Sequence, residues 1–544
     1  MDKNKRILTY VIVFIVLAIG VTFAYFVAQT GDGAKSNVNI KADSVDDLKF
    51  SVNKDLSLSA NQFNFAQGSG NLSDSVTATA SLKANSTKKT ATYNYYVYFQ
   101  MESNEYKYTT VNKLPEIVLS ITGPNGEITN VDGLTYVSAS DADGNIIKGF
   151  DITELGSSII KIADSFEISS SSSTNYTNQE WVFKVTFINL NTDQTGNQGK
   201  TMSGKVLMQK DKLITNVSEV ASSGDNLATT LETFSTKSVP SISNLYHHDG
   251  TIKDADGNVI DAADGSYRFA GANPNNYVCF GSDDATCPNE NLYRIIGLID
   301  GKIKLISADG GTIDMLGTDG GYLASYKSVY SNLSKYKGAG DLSKIGAYYW
   351  NTTGKNIWST SSTNTVNLNT NFLTYLDNIN SKWKEMIVDT TWYVGGMTYA
   401  NGVESNARTA YNYEAGANKD ISKTVTAKIG LMYVSDYYYA ASKDYWTLPG
   451  YKNDTSNTDN CHGCTTDYRA TINYNYLYIG LYEYTLSYNS DSSDRVLYVG
   501  DVGAAGWSLA DSSGYVLRPS FGLTSSVQYN SGSGTMSDPI RLKN

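Results

Sequence analysis

Apolar and polar residues alternate along the chain between Leu48 and Met208. Every second position of "TYNYYVYFQM" is aromatic or aliphatic from Tyr93 to Met101, and "EWVFKVTFINL" repeats the pattern from Trp181 to Phe187. Because successive side chains of a strand point to opposite faces of a sheet, this period predicts half-buried antiparallel strands. The sequence "GPNG" within the segment predicts a hairpin turn. A β-sandwich over residues 48–210 is therefore expected.

The composition narrows the class of protein. Tyrosine is abundant, with 41 residues against three histidines and four cysteines, and the net charge is -11. A chain this acidic, without a cluster of Lys and Arg, lacks the cations that neutralise nucleic-acid phosphates. Few charges together with abundant Ser, Thr, Asn, Gly and Tyr are typical of a β-rich secreted or surface-exposed protein. We therefore expect no nucleic-acid partner.

An uncharged apolar run, Ile7–Ala28, follows the basic start "MDKNKR". As a helix it would rise about 33 Å, enough to cross the hydrocarbon core of a bilayer. We expect a signal-anchor transmembrane helix over residues 1–28 and a polar linker over 29–47. Because the cations precede the run, the N-terminus is expected in the cytoplasm and the rest of the chain outside the cell. Small residues around Thr22-Phe23-Ala24 leave cleavage, and hence secretion, as an alternative.

Four cysteines form two pairs that are close in sequence, Cys279 with Cys287 and Cys461 with Cys464. In the oxidising space outside a cell, such pairs are expected to form small-loop disulfides. A zinc site that uses all four thiolates, or His462, is the alternative. Zinc sites usually have two cysteine pairs, each with two residues between the cysteines. Here only one pair, the one in "CHGC", has this spacing.

The rest of the chain mixes element types. Residues 211–245 are rich in Ser and Thr and predict a linker with one short helix, "NLATTLETF", capped by Asp225. In the domain expected over 246–544, "NLYRIIGLIDGKIKLISA" predicts a hairpin that turns at Asp300-Gly301. "NTNFLTYLDNINSKWKEMIVD" has the period of an amphipathic helix, and "KIGLMYVSDYYYA" predicts a buried strand. The expected fold class is mainly β, with an α+β C-terminal domain.

The first half resembles the camelysin-like biofilm-fibre and surface proteins of Gram-positive bacteria. The resemblance rests on "VTFAYF" at the end of the apolar run, on the long sandwich and on the closing strand "NQGKTMSGKVLMQK", Asn197–Lys210. It implies a secreted surface protein, and some members of that family assemble into fibres by strand exchange. A structural fibre or matrix protein is therefore one alternative for the function.

The second half carries, in order, "NNYVCFG", "CPNENLYRIIG", "MIVDTTWYVGGM", "KIGLMYVSDYYYA", "GLYEYT" and "YVLRPSFGL". This order is similar to that of Gram-positive surface proteins whose C-terminal domain resembles the formylglycine-generating-enzyme (sulfatase-modifying-factor) variant of the C-type lectin fold. Tyr482, Glu483 and Tyr484 match the aromatic–Glu–aromatic triplet of that fold, and Arg518 and Phe521 match its closing strand. The resemblance implies a C-type-lectin-like α+β head with these five residues as fold markers.

Two departures from that fold's enzymes bear on activity. The oxidases hold copper on two cysteines close to the closing strand, whereas the last cysteine here, Cys464, lies well upstream. The related iron enzymes need a histidine-rich site. The three histidines of this chain, His247, His248 and His462, do not form a sequence pattern that predicts such a site. We therefore expect no catalytic residue, metal or cofactor, and an extracellular enzyme is the second alternative.

The expected function is that of a cell-surface adhesin or ligand-binding protein whose head binds a glycan or a protein outside the cell. Tyrosine offers a large amphipathic contact surface at small conformational cost, and Ser, Gly and Asn add adaptable hydrogen bonds. Aromatic faces beside Asn and Asp also suit sugar rings. Sheet packing is the alternative for each aromatic residue. The candidate ligand-binding residues are Tyr437, Tyr438, Tyr439, Trp446, Tyr474, Tyr476 and Trp507.

Three further motifs have structural explanations. Glu483 lies between aromatic residues of a strand, and buried carboxylates are usually paired. A bond to a loop, to Arg495 or to Arg518 is therefore expected in preference to a ligand role. "DADGN" occurs at Asp141 and again at Asp254, where an Asp–Gly turn is expected in preference to a calcium loop. "HHDG" likewise predicts a turn.

Overall fold

The computed structural model describes residues 46–60, 70–450 and 475–543, apart from the single positions 88, 157 and 513. The chain is mainly β, with 37% strand and 17% helix, as the alternation predicts. It forms two compact units that divide between Lys212 and Leu213. The expected membrane helix, residues 1–28, lies outside the described residues. None of the helices that the structure does describe is long and apolar enough to cross a membrane.

The first unit is built from antiparallel strands. The described strands are β1 (Asp47–Val52), β2 (Leu56–Ser59), β3 (Leu72–Lys83), β4 (Ala91–Asn104), β5 (Ile117–Gly123), β6 (Gly126–Glu127), β7 (Thr135–Ser140), β8 (Ile146–Asp151), β9 (Ser158–Ser170), β10 (Thr177–Phe187) and β11 (Thr201–Gln209). One sheet has the order β1-β3-β10-β5-β8-β7, with β6 paired to β5, and the other has the order β2-β11-β4-β9. Side chains from both sheets share one hydrophobic core, which is consistent with the expected sandwich.

The alternation in sequence places one face of each long strand in this core. Tyr95 and Phe99 of β4 and Trp181 and Phe183 of β10 are fully buried. The rings of Phe99 and Phe183 stack with centroids 6.3 Å apart, and the Trp181 indole N–H donates to the Tyr95 hydroxyl at 2.9 Å. The predicted turn is confirmed, because β5 and β6 pair across it and Gly126 has a φ of 114° that favours glycine.

The second unit mixes strands and short helices. Its described strands are β12 (Leu245–His247), β13 (Tyr267–Phe269), β14 (Tyr277–Cys279), β15 (Leu292–Ile299), β16 (Lys302–Ser307), β17 (Tyr322–Ser325), β18 (Gly346–Tyr348), β19 (Thr390–Tyr393), β20 (Thr424–Ala427), β21 (Ile429–Gly430), β22 (Glu483–Tyr488), β23 (Arg495–Val499), β24 (Ala505–Leu509), β25 (Ser520–Gly522), β26 (Gln528–Ser531) and β27 (Ile540–Lys543). Its described α-helices are α1 (Leu227–Lys237), α2 (Pro240–Ser243), α3 (Ile313–Leu316), α4 (Tyr326–Val329), α5 (Leu373–Ile379), α6 (Ser381–Glu385), α7 (Tyr399–Gly402), α8 (Ala407–Glu414) and α9 (Val434–Tyr439).

A nine-stranded sheet forms the centre of this unit. Its order is β21-β25-β16-β15-β14-β27-β26, and β13 joins β12 to β15. The smaller sheets are β17-β18, β19-β20 and β22-β23-β24. The predicted hairpin β15–β16 is confirmed, and Asp300 and Gly301 at its turn have φ angles of 50° and 69°. Two left-handed residues match the twist of the paired strands.

Aromatic rings fill the core on one face of the central sheet. Phe521 of β25 is fully buried, and its ring centroid lies 4.9 Å from that of Phe280 and 5.5 Å from that of Tyr293. Phe280 also packs edge-on against Trp383 at 5.2 Å. Such ring pairs add about 0.5–1.5 kcal/mol each beyond their burial, so Phe521 is an anchor of this core.

The amphipathic helix predicted across residues 369–389 is broken in two. A π-helical stretch, Thr363–Phe372, runs directly into α5, and the chain leaves the helix at Asn380, where φ is -171°. The Asn380 side chain then accepts a hydrogen bond from the Lys382 N–H and caps α6. The predicted apolar positions are buried apart from Ile379, which is 43% exposed. The period was correct, but a capping asparagine divides the helix.

The strand predicted across residues 428–440 is wrong beyond its start. It is reduced to β21, and the chain then forms α9. Asp436 begins this helix, because its carboxylate accepts a hydrogen bond from the Tyr433 N–H at 2.9 Å. A carboxylate that caps the first turn stabilises a helix. The aromatic residues of this segment alone would not predict one.

The linker expected over residues 211–245 belongs, from Leu213 onward, to the second unit. Its helix α1 buries Leu227, Leu231 and Phe234 completely, in the same core as the central sheet. Asn226 caps α1 in place of Asp225, by accepting the Thr229 N–H at 3.1 Å. The high content of Ser and Thr in this segment did not indicate that three residues of α1 form a buried apolar face.

The disulfide expected between Cys279 and Cys287 is present. It excludes the alternative zinc site built from all four thiolates, because two of the sulfurs are bonded to each other. Cys461, Cys464 and His462 lie outside the described residues.

The double variant Cys279→Ser, Cys287→Ser should be less stable than the wild type by about 2–3 kcal/mol, since the disulfide closes a short loop and restricts the unfolded chain. Urea denaturation of the full chain measures the difference. An equal stability of both proteins would show that the loop is held by its other contacts, such as the Arg541 side chain that donates to the Ala285 carbonyl.

Candidate ligand pocket of the second unit

A pocket of about 380 Å³ opens where the hairpin β15–β16 meets the ribbon β19–β20 and the helices α8 and α9. A pocket of this volume is within the range of small-ligand sites. Its lining comprises Asp264, Arg268, Ile299, Asp300, Lys302, Lys304, Thr390, Thr391, Trp392, Tyr393, Tyr411, Ala415, Lys419, Tyr433, Ser435, Asp436 and Gly522. Cations, carboxylates, hydroxyls and aromatic rings thus line one concave site.

The Asp436 carboxylate connects the charged groups of the pocket. Its Oδ2 accepts a hydrogen bond from the Lys304 ammonium at 2.5 Å, and its Oδ1 accepts one from the Arg268 guanidinium at 3.3 Å. Arg268 also donates to the Asp264 carboxylate at 2.9 Å. These four side chains form three cation–carboxylate pairs, and Arg268 and Asp436 are almost completely buried. We call them the inner charge network.

The inner charge network keeps Asp264 and Arg268 ionised. Burial opposes ionisation of Asp264, but the Arg268 guanidinium outweighs burial and holds the pKa of that carboxyl well below its usual range. Burial would lower the pKa of Arg268, yet Asp264 and Asp436 raise it above its usual value. Because each cation stabilises a neighbouring carboxylate, Asp264 is not poised to release or take up a proton near neutral pH.

Aromatic rings surround the two cations. The Lys304 ammonium lies 4.8 Å from the centroid of Tyr433 and 5.4 Å from that of Trp392. The Arg268 guanidinium lies 5.4 Å from the centroid of Tyr411. The Tyr433 hydroxyl is bonded to the backbone of β19, which fixes its ring. Cation–π contacts of this kind hold both the charges and the rings in one arrangement.

The helix α9, which carries Asp436, is held in place by Glu414 at the end of α8. Glu414 is buried, and its two oxygens accept the N–H groups of Val434 and Ser435, both at 2.9 Å. The Ser487 hydroxyl also donates to this carboxylate. Burial raises the pKa of Glu414 to about 7, although these hydrogen bonds oppose the shift. A group that titrates near neutrality therefore supports one wall of the pocket.

Two further lysines of the lining have no carboxylate partner among the described residues. No Asp or Glu oxygen of that part of the chain lies within 4.0 Å of the ammonium nitrogen of Lys302 or of Lys419. Lys419 donates to the Ala415 carbonyl at 3.0 Å and lies 4.7 Å from the ring centroid of Tyr393. Asp300, at the exposed turn of the hairpin, is the remaining charge of the lining.

Five of the predicted ligand-binding aromatics lie in the core. None of them is more than 7% exposed, and none lines the pocket. The hydroxyls of the tyrosines donate to backbone carbonyls, as Tyr438 does to Gly402 at 2.9 Å. Their expected role as an exposed binding surface is therefore wrong, because the core already covers their rings. The five are Tyr437, Tyr438, Tyr439, Trp446 and Tyr476.

The other two predicted ligand residues differ from these. Tyr474 lies outside the described residues. Trp507 of β24 is 38% exposed, and the Arg495 guanidinium lies 3.6 Å from its ring centroid. Trp507 is not part of the pocket lining, so a role for it in ligand binding stays a prediction.

The fold-marker residues are structural. Glu483 is bonded to Arg518 at 3.2 Å, as expected, and both side chains are almost fully buried. Arg518 also donates to the carbonyls of Ser307 and Leu477, both at 2.8 Å. Burial raises the pKa of Glu483 to about 7, against the effect of Arg518. Tyr484 is buried and Tyr482 half-buried beside them.

The turn motifs also have structural roles. Asp141 accepts the Asn145 N–H and Asp254 the Asn258 N–H, both at 2.8 Å, which confirms the predicted turns at "DADGN". His248 is buried and accepts the Ala262 N–H at 2.9 Å, and burial holds its pKa well below the usual value. Among the described residues there is no cluster of three or more His, Cys, Asp or Glu side chains that could hold a metal ion.

Sequence reasoning missed the inner charge network. One local sign was available: Lys304 is a charged residue inside the apolar strand "KIKLIS", and Arg268 interrupts "SYRFA" in the same way. A charge at a core position usually has a buried partner. The partner itself, Asp436, lies 132 residues from Lys304, and no local pattern indicates the pairing.

Comparisons with known proteins returned no match among protein-family models, curated proteins or solved structures.

The variant Glu414→Gln should gain stability relative to the wild type as the pH rises from 5 to 8. The raised pKa means that native Glu414 keeps its proton between about pH 4.5 and 7, while the unfolded chain loses it. Its contribution to stability therefore falls over this window, by on the order of 3 kcal/mol, and glutamine removes this dependence. Urea denaturation of both proteins at pH 5 and pH 8 measures the change.

The matched control is Glu404→Gln, which makes the same substitution at an exposed position. A difference between wild type and Glu414→Gln that did not vary with pH would contradict the role of Glu414.

Proposed function

We propose that this chain is a bacterial cell-surface adhesin whose second unit binds a sugar residue of an extracellular glycan in the pocket around the inner charge network. The observation that carries the proposal is the composition of the lining. Trp392, Tyr393, Tyr411 and Tyr433 supply aromatic surface, and Thr390 and Thr391 supply hydroxyls beside it. Apolar walls with a few fixed polar groups are typical of ligand sites.

The charged groups of the pocket favour binding over catalysis. A general acid needs a raised pKa and a proton directed at the substrate. In the lining, Asp264 and Asp436 are each bonded to a cation. The two described carboxyls whose pKa is raised to about 7, Glu414 and Glu483, are buried and bonded to protein groups. An extracellular enzyme therefore stays the less favoured alternative.

The location at the cell surface rests on the sequence. The apolar run Ile7–Ala28 is proposed as a membrane anchor with the cytoplasm on its N-terminal side. The disulfide Cys279–Cys287 supports an oxidising compartment for the second unit. The proposed lectin-like fold of this unit rests on the motif order and on the buried pair Glu483–Arg518.

The purified full chain should bind members of a glycan array, and Thr391→Trp should abolish that binding. Thr391 is an exposed residue of the lining, so a large side chain there fills the pocket without disturbing the core. Thr177→Trp is the matched control, because it changes an exposed strand threonine of the first unit in the same way. The control should bind as the wild type does.

Two results would contradict the proposal. The first is that no glycan on the array is retained. The second is that Thr391→Trp binds as strongly as the wild type, which would place the site outside this pocket.

Assembly into fibres is the second candidate function, and one edge strand favours it. The strand β7, "TYVSAS", is at the edge of its sheet and carries no charged side chain. An edge of this kind is open to pairing with another chain. The edge strand β9 of the other sheet is better protected, since it contains Lys161, Asp164 and Glu167.

If β7 mediates assembly, Ser138→Lys should reduce filament formation by the full chain at high concentration, as seen by electron microscopy. A lysine at an open edge repels a second copy of itself and resists strand addition. Ser169→Lys, on the already charged strand β9, is the matched control. A wild-type chain that is monomeric at every concentration would exclude this function.

A further inference from the structure

The charges of the pocket separate into a balanced group and an unbalanced one. In the inner charge network, Arg268 and Lys304 oppose Asp264 and Asp436 over distances of 2.5–3.3 Å. Two positive and two negative charges cancel there. The network therefore requires no charge from a ligand.

The outer group consists of Lys302, Lys419 and Asp300. Among the described residues, no carboxylate lies within 4.0 Å of either lysine nitrogen. Two positive charges against one negative charge leave a single positive charge in excess. A lysine on an open surface is neutralised by solvent, but in a concave site the low-dielectric walls focus the field on whatever enters.

This local excess is opposite in sign to the whole chain, whose net charge is -11. We infer that the ligand is an acidic sugar, and that Lys302 and Lys419 bind its single carboxylate. The inference rests on the proposed function and specifies the ligand class. One excess charge matches a monoanion such as a hexuronic acid.

The arrangement around Lys419 fits a ring that carries an acid group. Its ammonium lies over the Tyr393 ring, which is partly exposed, so a sugar ring against the uncovered part of Tyr393 brings its carboxylate close to Lys419. The exposed Thr391 on the same strand offers a hydroxyl to the sugar. Ammonium–carboxylate hydrogen bonds are about twice as strong as neutral ones, which would make the acid the preferred ligand.

The test compares matched acidic and neutral sugars on an array. Each hexuronic acid (gluco, galacto and manno) is paired with the hexose that differs only in the carboxylate, and the full chain is applied at low and at high salt. The acidic member of at least one pair should be retained about tenfold more strongly at low salt, and the preference should shrink at high salt. Equal or better retention of the neutral members would overturn the inference and leave the proposed function standing. Retention of no sugar would overturn both.

Variants then assign the preference to the two lysines. Lys302→Gln, Lys419→Gln should reduce the affinity for the acidic sugar about tenfold or more and leave that for its neutral partner nearly unchanged. Lys337→Gln, Lys355→Gln is the matched control, because it removes the same charge from exposed positions outside the lining. An acid preference that survives in the first variant, or disappears equally in the control, would overturn the assignment.

Discussion

The arrangement of the pocket in the second unit depends on the hydrogen bonds and ion pairs of the Asp436 carboxylate. It joins Arg268 of β13, Lys304 of β16 and the backbone of Tyr433 at the start of α9. Breaking a buried ion pair on one side costs about 3–5 kcal/mol, because the remaining charge loses its partner. A single carboxylate thus fixes two strands and a helix around the pocket.

The proposed binding site is built on this network and is therefore organised before a ligand arrives. Arg268 and Lys304 are held by carboxylates and by the rings of Tyr411 and Tyr433, so they need not reorder on binding. Pre-organisation lowers the entropic cost of association. The same arrangement holds Asp264 ionised beside Arg268.

Much of the architecture could be predicted from local pattern, and the site could not. The alternation around Tyr95, the turn at Asp300 and the Cys279–Cys287 disulfide each depend on neighbouring residues. The aromatic run Tyr437–Tyr439 is predicted to bind a ligand because tyrosine suits both surface and core, and a six-residue helix is too short to show a period. The pocket depends on contacts between distant segments, such as Arg268 with Asp436, 168 residues apart.

The first and last segments of the second unit pair with each other. The Gly224 and Leu227 N–H groups donate to Tyr529 and Val527, and β14 runs parallel to β27, which begins at Ile540. A ribosome makes the chain from its N-terminus, so the central sheet lacks β27 until residues 540–543 have been made. The first unit can fold while synthesis continues, whereas the central sheet of the second must wait for β27. Its aromatic core stays open during that delay, and a chain cut before Ile540 would lose the strand that joins β26 to β14.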